Sequence, residues 1–507
     1  MKAIIDNDVT VSNGDRTKPN DDFVIEEDDY TLGLSGIVLN SEQMNAKDIA
    51  ENIADGITQK LYKGSYVLWL HDRKNEKLYV ANDLLSKQSV YYYAKDGLVL
   101  VNTSLFDLCS DLRNNGRVPV FDPDAVEQLC RGGVFCAGMT YEVNTSFLTA
   151  YSYLVINCRE KTMEVKRLPI PKMKNTGEIS EDQAIEDLDR LFSEACRLQW
   201  RKNEIYGTDQ IMTISGGMDS RAVLLRMKGG GNEVSIKTCT YAQSGSSDAQ
   251  IARRFAEKQQ VDHTFIPLDN CEFAYMREEI VDANEGQMTY SGSTGAILMA
   301  KKMRLSKDNM GIVHTGLGGG EILGDICIAD GDKTAGHEAE ITINQQRNLD
   351  DIRRCLNFQK TTVNYFSVFS PFLYEDFFEY AMCLPASMRR NRKLYIAWYK
   401  KHMNSDFPSK GSYVPTVKSI DRVKRGVYKV SGIRNPADMN PFRFWYRTQP
   451  KLREYISTTW ENDRKLLNAH KELLEILEPY YELDVVHKLS VLTVTASAIR
   501  ILGLSKA

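Results

Sequence analysis

The stretch Ile211-Met212-Thr213-Ile214-Ser215-Gly216-Gly217-Met218-Asp219-Ser220-Arg221 limits what this chain can become more than any other. An apolar run breaks at two adjacent glycines and resumes with helical spacing, which predicts a strand, a tight loop and a helix. Such a turn leaves backbone N–H groups unpaired at a helix N-terminus, where they and the helix dipole together favour an anion. Gly216 and Gly217 allow positive φ and a close approach of backbone to ligand, and the hydroxyls of Ser215 and Ser220 add donors at either end. Asp219 stands apart from these neutral groups. A carboxylate beside bound phosphates requires a cation between them, so the loop predicts a nucleotide held with Mg²⁺ at Asp219. The spacing fits neither Gly-x-x-x-x-Gly-Lys-Ser/Thr nor Gly-x-Gly-x-x-Gly, which takes weight from both of those nucleotide-binding classes. An ordinary glycine turn is the plainer alternative.

The flanking chain repeats the theme. Strand-like runs at 235–241 and 263–268 alternate with helical runs at 221–227 and 248–256, the pattern of a doubly wound parallel sheet whose ligands lie at the carboxyl ends of strands. A second strand, glycine loop and helix spans 311–324 and carries Gly316, Leu317, Gly318, Gly319, Gly320 and Glu321. Ahead of this, residues 1–170 read as a mixed α+β domain. Short β-branched or aromatic runs at 66–70, 77–81, 90–93 and 98–101 predict antiparallel hairpins. Helical periodicity covers 45–61 and 124–130, the latter opened by an Asp122-Pro123 cap. Residues 171–182 form a polar linker, and 183–507 a second domain that begins with a helix capped by Ser180. On that helix Ile185, Leu188, Leu191, Phe192, Ala195 and Leu198 fall three or four apart. The last third is helix-rich. Its most apolar stretch, 489–504, is broken by Ser490, Thr493, Thr495, Ser497 and Arg500, which predicts a buried helix and no membrane span.

A net charge of −4 argues against nucleic acid as a partner, since affinity for phosphate backbones is mostly electrostatic. Ten cysteines without paired spacing, and no long apolar leader, predict free thiols, a cytoplasmic location and no structural metal centre.

The run Ser215-Gly216-Gly217-Met218-Asp219-Ser220 resembles the Ser-Gly-Gly-x-Asp-Ser pyrophosphate loop of the N-type ATP pyrophosphatases, and its surroundings resemble the asparagine-synthetase-like amide ligases. The resemblance implies that the loop holds the β,γ-phosphates of ATP while a substrate carboxylate attacks the α-phosphate. An amine then converts the acyl-adenylate to an amide. Nucleotide contacts are implied for Ser215, Gly216, Gly217, Met218, Asp219, Ser220, Thr240, Tyr241, Gly316, Gly318 and Gly319, and Mg²⁺ ligation for Asp219 and Glu321. Asp248 matches the acidic residue of the family's second motif, or simply caps its helix, whereas His263 reads as structural. The basic stretch 418–426 lies where relatives place a charge-neutralising lysine, with Lys424 the first choice and Lys418 the second. Residues 440–446 are aromatic enough to line an acceptor pocket, although core packing explains them as well.

Three departures from the family pattern matter. Gly320 stands where relatives carry a metal-binding aspartate, Leu317 where asparagine synthetase carries a glutamate, and Tyr374 where an acid is usual in the Pro-Phe-Leu turn at 371–373. The first 170 residues resemble the glutaminase-type Ntn domain of asparagine synthetases, an α/β sandwich. That chemistry needs a cysteine at mature position one, whereas Met1 is followed by Lys2 and the first cysteine is Cys109. A scaffold without glutaminase activity is implied, as in β-lactam synthetases and lasso-peptide cyclases. The amine is then free ammonia or part of a small-molecule or peptide substrate, with a possible partner protein delivering it. Two other readings stay open: an asparagine synthetase fed by ammonia or a partner glutaminase, and a non-catalytic nucleotide-binding relative.

Overall fold

The computed structural model describes residues 1–6, 9–12, 21–56, 58–135, 138–171, 178–229, 235–289, 295–306, 308–324, 352–403 and 439–504. In the N-terminal part the strands in chain order are β1 (Lys2–Ile5), β2 (Val9–Ser12), β3 (Phe23–Glu26), β4 (Tyr30–Val38), β5 (Gly64–Asp72), β6 (Lys77–Asn82), β7 (Tyr91–Lys95), β8 (Leu98–Asn102), β9 (Thr145–Phe147), β10 (Ser152–Asn157) and β11 (Thr162–Arg167). They form two antiparallel sheets, ordered β2-β1-β8-β7-β9 and β11-β10-β6-β5-β4-β3.

Side-chain alternation explains the layering. On β8, Val99 and Val101 meet Val67, Trp69, Val80 and Ile156 between the sheets. Leu98 and Leu100 turn the other way, onto the helices Leu105–Asn114 and Pro123–Gly132. On β5, Tyr66, Leu68 and Leu70 point away from the first sheet, toward Ile49 of the helix Ala46–Asn52. The order is helix, sheet, sheet, helix, which is the expected Ntn-type sandwich. Asp122 caps its helix by accepting the N–H groups of Asp124 and Ala125. The single helix expected over 45–61 is instead interrupted. It runs Ala46–Asn52, tightens to a 3₁₀ turn at Ile53–Asp55, and restarts at Thr58–Leu61, because Gly56 takes a left-handed φ of 69°.

Ser180 caps the helix Glu181–Tyr206 through Gln183 N–H at 3.1 Å, so the helix begins two residues inside the predicted linker. Its apolar stripe, from Ile185 to Ala195, is buried against Met212, Ile214, Phe372 and Trp398, while Leu198 is half-buried. Five parallel strands follow, β12 (Gln210–Thr213), β13 (Ile236–Ala242), β14 (Asp262–Pro267), β15 (Ile312–His314) and β16 (Ser367–Phe369), in the order β14-β13-β12-β15-β16. The chain therefore winds outward from β12 in both directions. Successive strand residues alternate between two cores, Ile211 and Val313 on one face and Met212 and Ile312 on the other. Helices cover both faces, as doubly wound sheets require.

The helix Val485–Leu502 is the one among the described residues that is long and apolar enough to cross a membrane, yet 72% of it is buried within the molecule. It packs against the helices Pro450–Leu466 and Lys471–Tyr481, as the interrupted apolar pattern predicts. Ion pairs tie the N-terminal sandwich to the rest: Lys202 to Asp21 at 2.7 Å, Lys63 to Asp376 at 2.6 Å and Lys87 to Glu375 at 2.5 Å.

His314, fully buried at the end of β15, presents Nε2 to Gln210 Oε1 at 2.7 Å, and its Nδ1 finds no partner. Burial lowers its pKa to about 3. The unfolded chain takes up a proton near pH 6.5 and the folded one only near 3, so stability falls as pH drops through that window, by about 1.4 kcal/mol per unit. A His314→Asn variant should therefore lose roughly 2 kcal/mol less than the parent between pH 7 and pH 5, measured by denaturation at both values.

Candidate active site

The winding places a topological switch between β12 and β15, where the two glycine loops emerge side by side at the carboxyl ends of their strands. The first loop is knotted onto its own helix, Met218–Gly229. Ser220 Oγ accepts Ser215 N–H at 3.0 Å, and Ser215 Oγ accepts Gly217 N–H at 3.1 Å. Gly216 N–H donates to Asp248 Oδ1 at 3.1 Å. Beneath the loop the buried Arg221 donates from Nε to Gly217 O at 2.8 Å and lies over the Phe255 ring. Thr240 Oγ1 donates to Ile214 O at 2.6 Å, pinning the strand end where the loop starts.

The second loop, 315–318, leads into the short helix Gly319–Ile322 and presses directly on the first. A Cβ on Gly316 would fall on the backbone of Asp219 and Ser220, and one on Gly319 would stand 2.9 Å from Asp219 Cγ. Gly320 N–H donates to Asp219 Oδ2 at 3.1 Å. The other carboxylate oxygen, Oδ1, accepts the hydroxyl of Tyr395 from the helix Lys393–His402. Burial raises the Asp219 pKa to about 6, against the hydrogen bond from Tyr395; Glu321 pushes it further up, and Arg392 and the Gly320 N–H pull it down. A cavity of 280 Å³ opens over this junction, lined by Ser215, Gly217, Asp219, Ser220, Thr240, Tyr241, Gly316, Leu317, Gly318 and Glu321.

The site residues expected from the sequence thus converge, with distinctions that the sequence did not carry. Met218 is buried in the core, so only its backbone is turned to the loop. Tyr241 borders the cavity, and Gly295 packs so closely on its ring that a Cβ there would overlap it. Asp248 does not cap its helix: Ser246 does, through Ala249 N–H at 3.3 Å, which leaves the buried Asp248 to hold the loop at Gly216. His263, on the edge strand β14, has Nδ1 3.0 Å from Thr238 Oγ1 on β13, away from the cavity over the two loops. Trp445, in the aromatic stretch 440–446, is buried and donates from its indole to Gln243. Lys418 and Lys424 lie outside the described residues. Arg392 and Tyr395 went unnoticed in the sequence. Gly320 and Gly324, four apart, were the available signal, because paired glycines at that spacing let another group approach closely.

Asp219 and Glu321 are two carboxylates at the mouth of one cavity, which suits a magnesium ion that arrives with a nucleotide and keeps most of its water. Among the described residues no group of three or more His, Cys, Asp or Glu comes together to hold a metal alone. The eight described cysteines are all free.

Residues 187–343 match the family model described as asparagine synthase. No curated protein matches the chain. Among solved structures, the chain is similar to a glutamine phosphoribosylpyrophosphate amidotransferase from B. subtilis complexed with ADP and GMP, at 9% identity and a TM-score of 0.20, over 52% of this chain and 76% of that one. A second likeness, to an allosteric regulatory enzyme of purine biosynthesis, has 9% identity and a TM-score of 0.18, over 48% of this chain and 62% of the other. Neither likeness bears on the site, which rests on the family match and the two facing loops: from 187 to 343 this chain is asparagine-synthetase-like.

Proposed function

We propose that the protein is an ATP-dependent ligase that adenylates a substrate carboxylate, releasing pyrophosphate, and passes the acyl group to an amine to give an amide and AMP. At the level of the family, an asparagine synthase domain means an ATP-dependent carbon–nitrogen ligase. The observation that carries the finer reading is the contact between the two loops, with Gly316 against Ser220 and Asp219 clasped by Gly320 N–H. It sets the start of the helix Met218–Gly229 against a second, glycine-lined wall of one cavity, which supports facing seats for a triphosphate and an attacking carboxylate.

In this reading Ser215, Gly217 and Ser220 hold the leaving pyrophosphate, and the N–H groups of Gly316, Gly318 and Gly319 face the reacting phosphate. The carboxylate oxygen attacks the α-phosphorus, the α–β bridging bond breaks, and pyrophosphate departs with the electron pair. The amine then attacks the acyl carbon, and AMP leaves. Asp219 and Glu321 would hold Mg²⁺, which would neutralise charge on the phosphates. A lysine from 418–426, Lys424 before Lys418, supplies the remaining positive charge.

The amine comes from ammonia or from the substrate itself, since Cys109, Cys130 and Cys158, the described cysteines among residues 1–170, are buried. Burial pushes the Cys130 thiol up to about 12 and the Cys158 thiol up to about 11, which leaves no nucleophilic thiolate among them. The reading predicts that ATP turnover with a cognate carboxylate and amine gives AMP and pyrophosphate in equal amounts, measured by chromatography. Formation of ADP and phosphate in their place would contradict it.

A further inference from the structure

The cavity over the two loops is lined by two kinds of group. Hydroxyls, glycine backbone and the carboxylates of Asp219 and Glu321 are one kind, and the side chains of Tyr241, Leu317, Phe358 and Met439, which present carbon, are the other. Among the described residues, no Lys, Arg or His side chain lines it. Topology sorts the four apolar groups into two pairs. Tyr241 lies on β13, and Met439 O accepts the N–H of Gln243, just beyond that strand, at 2.9 Å. Leu317 belongs to the loop after β15, and Phe358 to the helix Arg353–Lys360, which packs on β16. Since β12 and its phosphate loop lie between β13 and β15, one pair goes with each side of the seat proposed for the triphosphate.

Leu317 and Phe358, the pair on the side of the second loop, are held in place. Leu317 O accepts the Ser370 hydroxyl at 2.6 Å. The helix of Phe358 is tied to the N-terminal sandwich: Arg353 Nη1 donates to Ser86 O at 3.1 Å with its guanidinium 3.9 Å from the centre of the Phe147 ring, and Lys360 donates to Ser89 Oγ. Phe358 itself is half-buried and, among the described residues, joins none of the hydrophobic cores. Aromatic carbon that lines a concave site and packs into no core is surface that a ligand can cover. A second charge on that ligand finds no such reception. A further carboxylate would meet Asp219 and Glu321 with no cation among the described lining residues, and an ammonium would compete for the two carboxylates that suit Mg²⁺.

We propose that Leu317 and Phe358 form the seat for the body of the acid, and that the acid adenylated here is a monocarboxylate whose body is uncharged aliphatic or aromatic carbon. Aspartate, with a second carboxylate and an ammonium, is then a poor substrate. The proposal rests on the adenylating reading given above and names the substrate class for it. The β13 side of the cavity is left to the nucleoside, so the mark of this seat is selectivity among acids at unchanged ATP affinity.

The test is exchange of labelled pyrophosphate into ATP by the full chain in Mg²⁺, with hexanoate and hydrocinnamate compared against aspartate, glutamate and a short acidic peptide. For the apolar acids kcat/KM should exceed that for aspartate by about 100-fold or more. Phe358→Ala should raise KM for hydrocinnamate by about tenfold or more with kcat within about threefold of the parent, and Phe358→Leu should recover part of the loss. Leu317→Gln, similar in volume but polar, should raise the same KM by about tenfold. Calorimetry should find ATP affinity in all three variants within about threefold of the parent. Should Phe358→Ala fail to fold, the ranking of acids by the parent and the effect of Leu317→Gln carry the test. Exchange supported by aspartate, glutamate or the acidic peptide in preference to the apolar acids would overturn the proposal and leave adenylation standing. So would a Phe358→Ala variant that loses ATP affinity while KM for the acid is unchanged. Exchange with none of these acids, while ATP still binds, would overturn the adenylating reading itself.

Discussion

A Glu375→Ala variant is expected to lose roughly 3–5 kcal/mol of folding stability, because it strands a buried ammonium. Glu375 is 0% exposed and Lys87 5%. Glu375 Oε1 accepts Lys87 Nζ at 2.5 Å and Gly64 N–H at 3.1 Å, while the same ammonium donates to Gly64 O at 2.6 Å. Nearby Asp83 is held at about 6, raised by burial, lowered by Lys87 and raised again by Glu375. Glu375 carries these bonds on Oε1 alone, its buried Oε2 having no hydrogen-bond partner, and removing the carboxylate leaves the Lys87 ammonium desolvated without its counter-charge. A Lys87→Met, Glu375→Leu double variant, which removes both charges, should lie much closer to the parent. The shift of the denaturation midpoint measures both. A single variant within about 1 kcal/mol of the parent would show that water reaches the pair.

The second large effect is expected at Gly316. Its missing Cβ is replaced by the backbone of Ser220 and Asp219, groups that cannot rotate away. Gly316→Ala should therefore separate the two loops and weaken ATP binding by about 100-fold or more, since a displacement near 1 Å is costly in a preorganised site. Gly132→Ala is the control: a Cβ there meets nothing within 4 Å, and nucleotide binding should equal that of the parent. Normal ATP affinity in Gly316→Ala, measured by calorimetry, would mean that the contact between loops is not needed for binding.

The extent to which the site could be read from the sequence follows from how local each signal is. The loop at Ser215 to Ser220 is six consecutive residues, and the structure gives it the expected strand, turn and helix. Asp122 and Ser180 cap the helices they precede, because capping needs only residues one turn apart. For Asp248 the sequence left two readings, the motif's acidic residue or a helix cap; Ser246 takes the cap, and the partner of Asp248 is Gly216, 32 positions earlier. Tyr395 and Arg392 reach Asp219 from more than 170 positions away. Along the sequence they belong to an aromatic and basic stretch that reads as core and surface. Glu375 and Asp376 look like the acidic first turn of a helix, and only the fold brings Lys87 and Lys63 to them.

The gap at Gly320 also changes meaning. From sequence it is a missing carboxylate in an otherwise intact adenylating site. In the fold it is the space beside which Arg392 meets Asp219, so the absence of a side chain is matched by the arrival of a charge.

The most direct measurement of the central claim is exchange of labelled pyrophosphate into ATP, because only a reversible adenylation scrambles that label before any amine is present. With a cognate carboxylate and no amine, the parent should exchange label, and Asp219→Ala should reduce the rate by about 100-fold or more, the scale for removing a group that stabilises charge in the transition state. Tight nucleotide binding with no carboxylate-dependent exchange, across small acids and peptides alike, would contradict the account and leave a nucleotide-binding protein that does not adenylate.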